Sequence, residues 1–417
     1  MAADSKTELR ETGQPPDQEQ NIQPSPPPDG GFWAWVQCLT GFCVFFNTFG
    51  LLNSFGTFQT YYERESLRNS SSSQISWIGT VQSSFILLGS IYAGPLLDWG
   101  YVQPLVWAGS VMLVLGMFMT SLCTEYWQTL LAQGFLMGLG MGCLFTPATG
   151  IIAQYFARRR GLALGIVSSG STIGGIIYPV MFHKLVGRSG FGWSTRIMAF
   201  VIFGTMVLPV LATRIRIKPP AARRIFDSSV WKEAQYTLFA ISFFLGYVGL
   251  YIPFFYIQLY CADKTIITGE FNFYLLPIMN ASGFFGRLGI GHLADRVGPL
   301  RAFIMSSAAC AILVFGWIRI ENEAGVVIFC ILYGFFSSGM ITLPATVIAA
   351  VLCPDVRQYG VRFTMQCAPA GVGLLIGNPI AGAILRKGGW VGLQGFSGAT
   401  VIGCTVFGLI TLLVGRR

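Results

Sequence analysis

Apolar residues run along this chain in long stretches, and the polar and charged residues collect in the short gaps between them. The stretches lie at roughly 33–58, 74–96, 103–122, 127–153, 161–182, 193–213, 235–258, 272–293, 300–319, 325–350, 362–385 and 392–414. Each is long enough to cross a bilayer as a helix, which takes about 20 residues at a rise of about 1.5 Å each. The pattern predicts an all-α membrane protein of twelve transmembrane helices, with both chain ends on the same side. Residues 1–28 are polar, rich in Pro, Gln and acidic residues, and carry no cleavable signal peptide; they predict a disordered tail.

The pattern repeats. Gly94 to Asp98 after span two matches Gly291 to Asp295 after span eight, and Pro147-Ala148-Thr149 in span four matches Pro344-Ala345-Thr346 in span ten, both 197 residues apart. Gly142 and Gly339, and Arg160 and Arg357, keep that offset. The longest connection, 214–234, carries Pro219-Pro220 and six basic residues and divides the spans six and six. The expected organisation is a tail and N-terminal motif at 1–32, a six-helix half at 33–213, a linker at 214–234 and a second half at 235–417. Two six-helix pseudo-repeats of parallel topology resemble the major facilitator fold, whose substrate site lies between the halves near the midplane.

Composition agrees. Hydrophobic residues make up 53% of the chain and charged residues 11%, less than half the roughly 25% of soluble domains. The 51 glycines suit closely packed membrane helices. A net charge of +9 suggests nucleic acid until its distribution is read: Lys and Arg cluster between the spans. Seventeen of them fall in segments on the side of the termini and nine on the other, a bias that predicts cytoplasmic termini. Asn69-Ser70-Ser71 then lies on an outer loop as a glycosylation acceptor. The ten cysteines are scattered without metal-ligand spacing and the two histidines, His183 and His292, lie far apart, so neither a metal site, a cofactor nor a disulfide framework is expected.

Three motifs carry more. Gly291-His-Leu-Ala-Asp295-Arg296-Val-Gly298 opens the loop between spans eight and nine; its glycines allow a tight turn, and Asp295 and Arg296 can cap helix ends and pair across a gate. The first-half copy keeps Asp98 without a basic partner. Asp29-Gly30-Gly31 followed by Phe32, Trp33 and Trp35 stands where the tail meets span one, and Tyr155 to Gly165, with Arg158, Arg159 and Arg160, lies between spans four and five. These motifs resemble those of the monocarboxylate transporter family, and the wording of span one looks most like its fungal members. That resemblance implies secondary transport of a monocarboxylate or related organic anion by alternating access, at the plasma membrane by default; fungal relatives also export secondary metabolites.

Arg287 is the one formal charge placed well inside a span. Eight residues separate it from Asp295, so it sits about 12 Å deep along a helix. A central arginine costs about 2.5–3.5 kcal/mol on insertion scales and needs a partner. A substrate carboxylate would serve; snorkelling toward the terminal face is the competing reading. Asn280 shares its helical face, and Asn53 and Tyr251 are further expected site residues. The small residues of span five, from Gly165 through Ser168, Ser169 and Ser171 to Gly175, read as packing. The family's span-one lysine falls at Asn53 here and its acidic residue before the span-eight arginine at Gly283, which leaves the coupling ion open. An integral membrane enzyme would need a catalytic cluster that is not visible. A receptor built on a transporter fold would carry a longer extension.

Overall fold

The computed structural model describes residues 28–156, 160–216, 228–267, 270–353 and 359–415, without the side chains of Asp98, Ala153, Arg160, Gly161, Ser228 and Tyr359. Among the described residues there is no strand, and nine helical stretches are long and apolar enough to cross a membrane. Two of the nine carry two crossings each. Leu275–Val297, whose polar residues keep it out of that group, completes the twelve.

Span one runs Phe32–Asn47 and on through Phe49–Tyr61, bent at Thr48; span two is Ser72–Leu88 with Ser90–Asp98; span three is Val102–Thr120. Span four passes from Tyr126–Thr129 through the wider turns of Leu130–Leu136 to Met137–Tyr155. Spans five and six are the two arms of Arg160–Ala212, folded back at Gly190. Span seven is Ala234–Leu250 with Ile252–Asp263, span eight Leu275–Val297, span nine Pro299–Trp317 and span ten Glu323–Ala350. Spans eleven and twelve are the arms of Tyr359–Val414, folded at Gly389.

Both folds occur at glycines with positive φ, 73° and 65°, where a Cβ would be strained. Asn47 shows the first return: its amide donates to Thr205 on span six and accepts from the Tyr178 hydroxyl on span five. In one straight helix those partners would stand about 40 Å apart. Asn47 is fully buried, so Asn47→Ala leaves the Tyr178 hydroxyl unpaired in the interior. We expect a loss of about 1–3 kcal/mol, read as a lower melting temperature of the purified protein with its oligomeric profile unchanged.

The sequence repeat is a packing repeat. Gly89 of span two lies against Gly142 of span four; Gly286 of span eight, 197 residues on, lies against Phe335 and Ser338 of span ten. Backbones approach there because nothing projects between them. Apolar side chains such as Val111, Phe203, Ile312 and Leu413, on spans three, six, nine and twelve, point outward, as a bilayer-facing surface requires. No disulfide forms among the described cysteines, most of which are buried.

The N-terminal motif meets the start of the motif between spans four and five, at Tyr155 and Phe156, on the terminal face. The Asp29 amide donates to the Tyr155 carbonyl at 3.1 Å, Trp35 sets its ring edge-on to Phe156 at 5.3 Å, and the Arg214 guanidinium lies 4.0 Å over Trp33. Gln37 adds a bond to the Ala212 carbonyl at 2.8 Å. The N-terminal motif thus ties the start of span one to the ends of spans four and six. Arg158 and Arg159 lie outside the described residues, as does most of the expected linker; Arg160 begins the span-five helix.

Candidate functional site

The halves touch on the face away from the chain ends. Phe55 and Phe255 pack with ring centroids 4.8 Å apart, His183 stacks on Phe273 at 3.7 Å, Arg64 pairs with Asp263 at 3.3 Å, and Ser73 donates to the Pro379 carbonyl at 2.8 Å. Gly56 lies so close to the Phe254 carbonyl that a Cβ would overlap it. Toward the terminal face spans two and eleven still meet, a Cβ on Gly371 pressing on Leu88, while one on Gly165 or Gly291 would meet open space. This is a conformer sealed at the far face. Glu63, in the turn after span one, accepts from Gln59 at 2.6 Å and Ser72 at 2.9 Å beside that seal. Sequence reading passed over it because it stands just past an apolar run.

Spans one and seven, which face each other across the seam, are both interrupted. Span seven breaks at Tyr251, and the carbonyls freed there are not left bare: Gly249 accepts from Ser397 at 3.0 Å and Leu250 from the Tyr333 hydroxyl at 2.7 Å. Broken helices at the midplane are where such bundles bind solutes, because irregular backbone is tolerated only against protein or a cavity. The break turns an aromatic wall inward: Tyr247 stands 6.0 Å from Tyr251, and Tyr251 5.7 Å from Phe254.

Arg287 reaches this region from span eight, and Tyr251 and Tyr247 are its electrostatic neighbours. It does not snorkel. Its Nη1 crosses between the halves and donates to the Ser171 hydroxyl at 2.7 Å and to the Ser168 carbonyl on span five. The span-five serines, expected to serve packing alone, are therefore its ligands. Nothing in their spacing announced this, because the partner sits 116 residues away. No carboxylate pairs with Arg287 among the described residues. Asn280, two turns earlier, is buried and donates to the Gly175 carbonyl at 3.2 Å and to Leu276 at 3.0 Å.

Several buried polar atoms have no partner: Asn53 Oδ1 and Thr57 Oγ1 on span one, the Tyr251 hydroxyl on span seven, Arg287 Nε on span eight and Asn378 Oδ1 on span eleven. Buried polar groups are rarely left so. These five lie on spans one, seven, eight and eleven, all of which border the seam; others, such as Thr146 Oγ1 on span four, Trp317 Nε1 on span nine and Gln394 Nε2 on span twelve, lie away from it. The structure brings Arg287 and Tyr251 together. It places Asn280 at the same seam, engaged with span five, and buries Asn53 within span one.

The other expected residues stand apart. Gly298, at φ 94°, ends span eight through its amide on the Ala294 carbonyl at 2.9 Å, and Pro299 opens span nine. Asp295 and Arg296 are exposed, and no ion pair joins them among the described residues; Arg301 supplies the helix-end contact instead, on the Val297 carbonyl at 3.5 Å. The side chain of Asp98 lies outside the described set. Asn69 is exposed in the turn between spans one and two. No His, Cys, Asp and Glu cluster that would hold a metal occurs among the described residues.

Twelve helices in two repeated halves, broken where they face one another around an unpaired polar seam, define a secondary transporter. The chain belongs to the Major Facilitator Superfamily, whose profile matches residues 37–373. It is 40% identical to "MFS-type transporter dbaD" of Emericella nidulans over 89% of this chain and 84% of that protein. It is also 40% identical to "Aspyridones efflux protein apdF" of the same organism (92% and 79%). The "Fujikurins efflux protein" of Gibberella fujikuroi is 35% identical (89% and 81%). A crystal structure of the nucleoside transporter NupG shares the fold with a TM-score of 0.69 at 14% identity, over 91% of this chain and 99% of that one.

Proposed function

We propose that this protein exports a lipophilic organic acid of the secondary-metabolite class, with its chain ends in the cytoplasm and its far face outside the plasma membrane. The observation that carries the reading is Arg287: a cation at the seam between the halves, unmatched by any described carboxylate, with a buried Nε still to be paired and tyrosines beside it. Such a group is tolerated inside a membrane protein when an anion visits it. The aromatic wall of Tyr247, Tyr251 and Phe254 favours a bulky hydrophobic acid over a small monocarboxylate. Two relatives whose names state an efflux role support export, and the excess of basic residues on the terminal face supports the orientation.

Counterflow in proteoliposomes tests this without a guess about the driving ion. Labelled L-lactate, benzoate and anthracene-9-carboxylate are offered to the wild type and to Arg287→Ala. We expect exchange of the polycyclic acid, little of lactate, and a tenfold to hundredfold weaker apparent affinity in the variant, the worth of a charge-assisted bidentate pair of about 1.5–3 kcal/mol. An apparent affinity unchanged in folded Arg287→Ala overturns the anion reading, and preferred exchange of lactate overturns the choice of substrate class.

A further inference from the structure

We propose that Ser171 is a positioning residue for Arg287: without substrate, the Ser171 hydroxyl and the Ser168 carbonyl hold the guanidinium in place of a carboxylate, and the substrate takes it from them, releasing span eight from span five. The inference rests on the anion reading above and adds how binding is linked to movement of the halves.

The donors and acceptors fit this role. The Ser171 hydroxyl donates its proton to the Ser168 carbonyl at 2.7 Å, which leaves its lone pairs to accept from Arg287 Nη1, also at 2.7 Å. The same Nη1 donates to the Ser168 carbonyl. Serine, arginine and carbonyl close a three-way knot from two halves of the protein, and Ser171 is almost wholly buried within it. All the ligands are neutral, and Nε remains unpaired. A carboxylate offers two oxygens and an opposite charge, so exchanging the serine for substrate is favourable. The knot is strong enough to fix the arm and weak enough to be displaced.

Span five and span eight touch at a second level. Asn280 donates to the Gly175 carbonyl, and the glycine leaves room for the amide. That contact joins two neutral groups, so a carboxylate gains far less by breaking it than by taking the guanidinium. It serves as the pivot, while the Arg287 contact, on the terminal side of it, is the exchangeable latch.

The test is the KM and maximal rate of anthracene-9-carboxylate counterflow in Ser171→Ala, Ser171→Thr, Arg287→Ala and the Ser171→Ala/Arg287→Ala pair. Ser171→Ala removes one oxygen and introduces no clash. Substrate no longer competes with a bound serine, while the Ser168 carbonyl still holds the guanidinium, so KM is expected to fall about threefold to tenfold, the net worth of one ordinary hydrogen bond, without a matching rise in maximal rate. Ser171→Thr, which keeps the hydroxyl, is expected to retain the wild-type KM, and Ser171→Ala is expected to add nothing in the Arg287→Ala background. A KM unchanged or raised in Ser171→Ala, or an effect that persists without Arg287, overturns the latch. Exchange that is indifferent to Arg287→Ala overturns the anion reading beneath it. Thermal melts of the same four proteins, free of any acid, give a readout independent of the probe. Coupling between the two substitutions is expected, and strictly additive shifts overturn the proposal.

Discussion

A valine at Gly56 is expected to slow transport at least severalfold while leaving the protein folded. Gly56 lies on span one where the halves close, with the Phe254 carbonyl against its Cα and the Leu276 side chain beside it. The carbonyl belongs to a helix and cannot turn aside as a side chain would. Added methyl groups must hold the two spans apart, and overpacking of this kind costs about 1–3 kcal/mol. The strain falls only on the conformer sealed at the far face, so it shifts the population toward the one open there by about fivefold to more than a hundredfold. The check is a pair of measurements on Gly56→Val: binding of a lipophilic acid by the purified protein, expected to persist, and counterflow, expected to fall by those factors. Wild-type counterflow would mean that the halves do not close through this contact.

The second large effect is on stability. Arg362, at the start of span eleven, is buried to within 5% of its side-chain surface, and Glu233, just before span seven, meets it with both oxygens at 2.5 and 2.7 Å. The Leu352 carbonyl accepts a third bond, and the guanidinium lies 5.8 Å over the Tyr236 ring. Glu233→Ala leaves that charge in the interior without a counter-ion. Breaking a fully buried pair costs about 3–5 kcal/mol; because Glu233 is itself 46% exposed, water screens part of this, and about 2–3 kcal/mol is the expected loss. Thermal melting of the purified variant measures it. The double variant Glu233→Gln/Arg362→Met, which removes both charges, should recover most of the loss, since the cost lies in the orphaned cation. Failure to recover would place the effect in lost packing around Tyr236.

Arg362 shows where sequence reading stopped short. In the sequence it counted as one more basic residue on the terminal face, because nothing local to it names Glu233, 129 residues before it. The crossings themselves were legible: a bilayer admits only segments that satisfy their own backbone, so length and apolarity alone mark them. Even span eight, whose Arg287 and Asn280 lower its hydropathy, was visible from its neighbours and from the repeat. The folds at Gly190 and Gly389 were legible as gaps between apolar runs, although the helical hydrogen bonding continues almost unbroken through both.

The candidate site was legible in part. Arg287 stood out because an ionised group in a membrane is rare enough to need a reason, and Tyr251, beside it, was also chosen from the sequence. The serines of span five were read as packing, since a small polar residue on a membrane helix looks the same whether it meets a methyl group or a guanidinium. The orphaned Thr57 and Asn378 were invisible as such, because a polar atom is unpaired only with respect to neighbours from other spans. By itself the sequence determined how many times the chain crosses the membrane, that it does so in two repeats, and that one cation lies well inside a span. These properties follow from each segment's own free energy in lipid. Which groups face that cation, and that the far face is sealed around Gly56, only the tertiary structure decided, because those depend on how close two separately inserted halves bring their backbones.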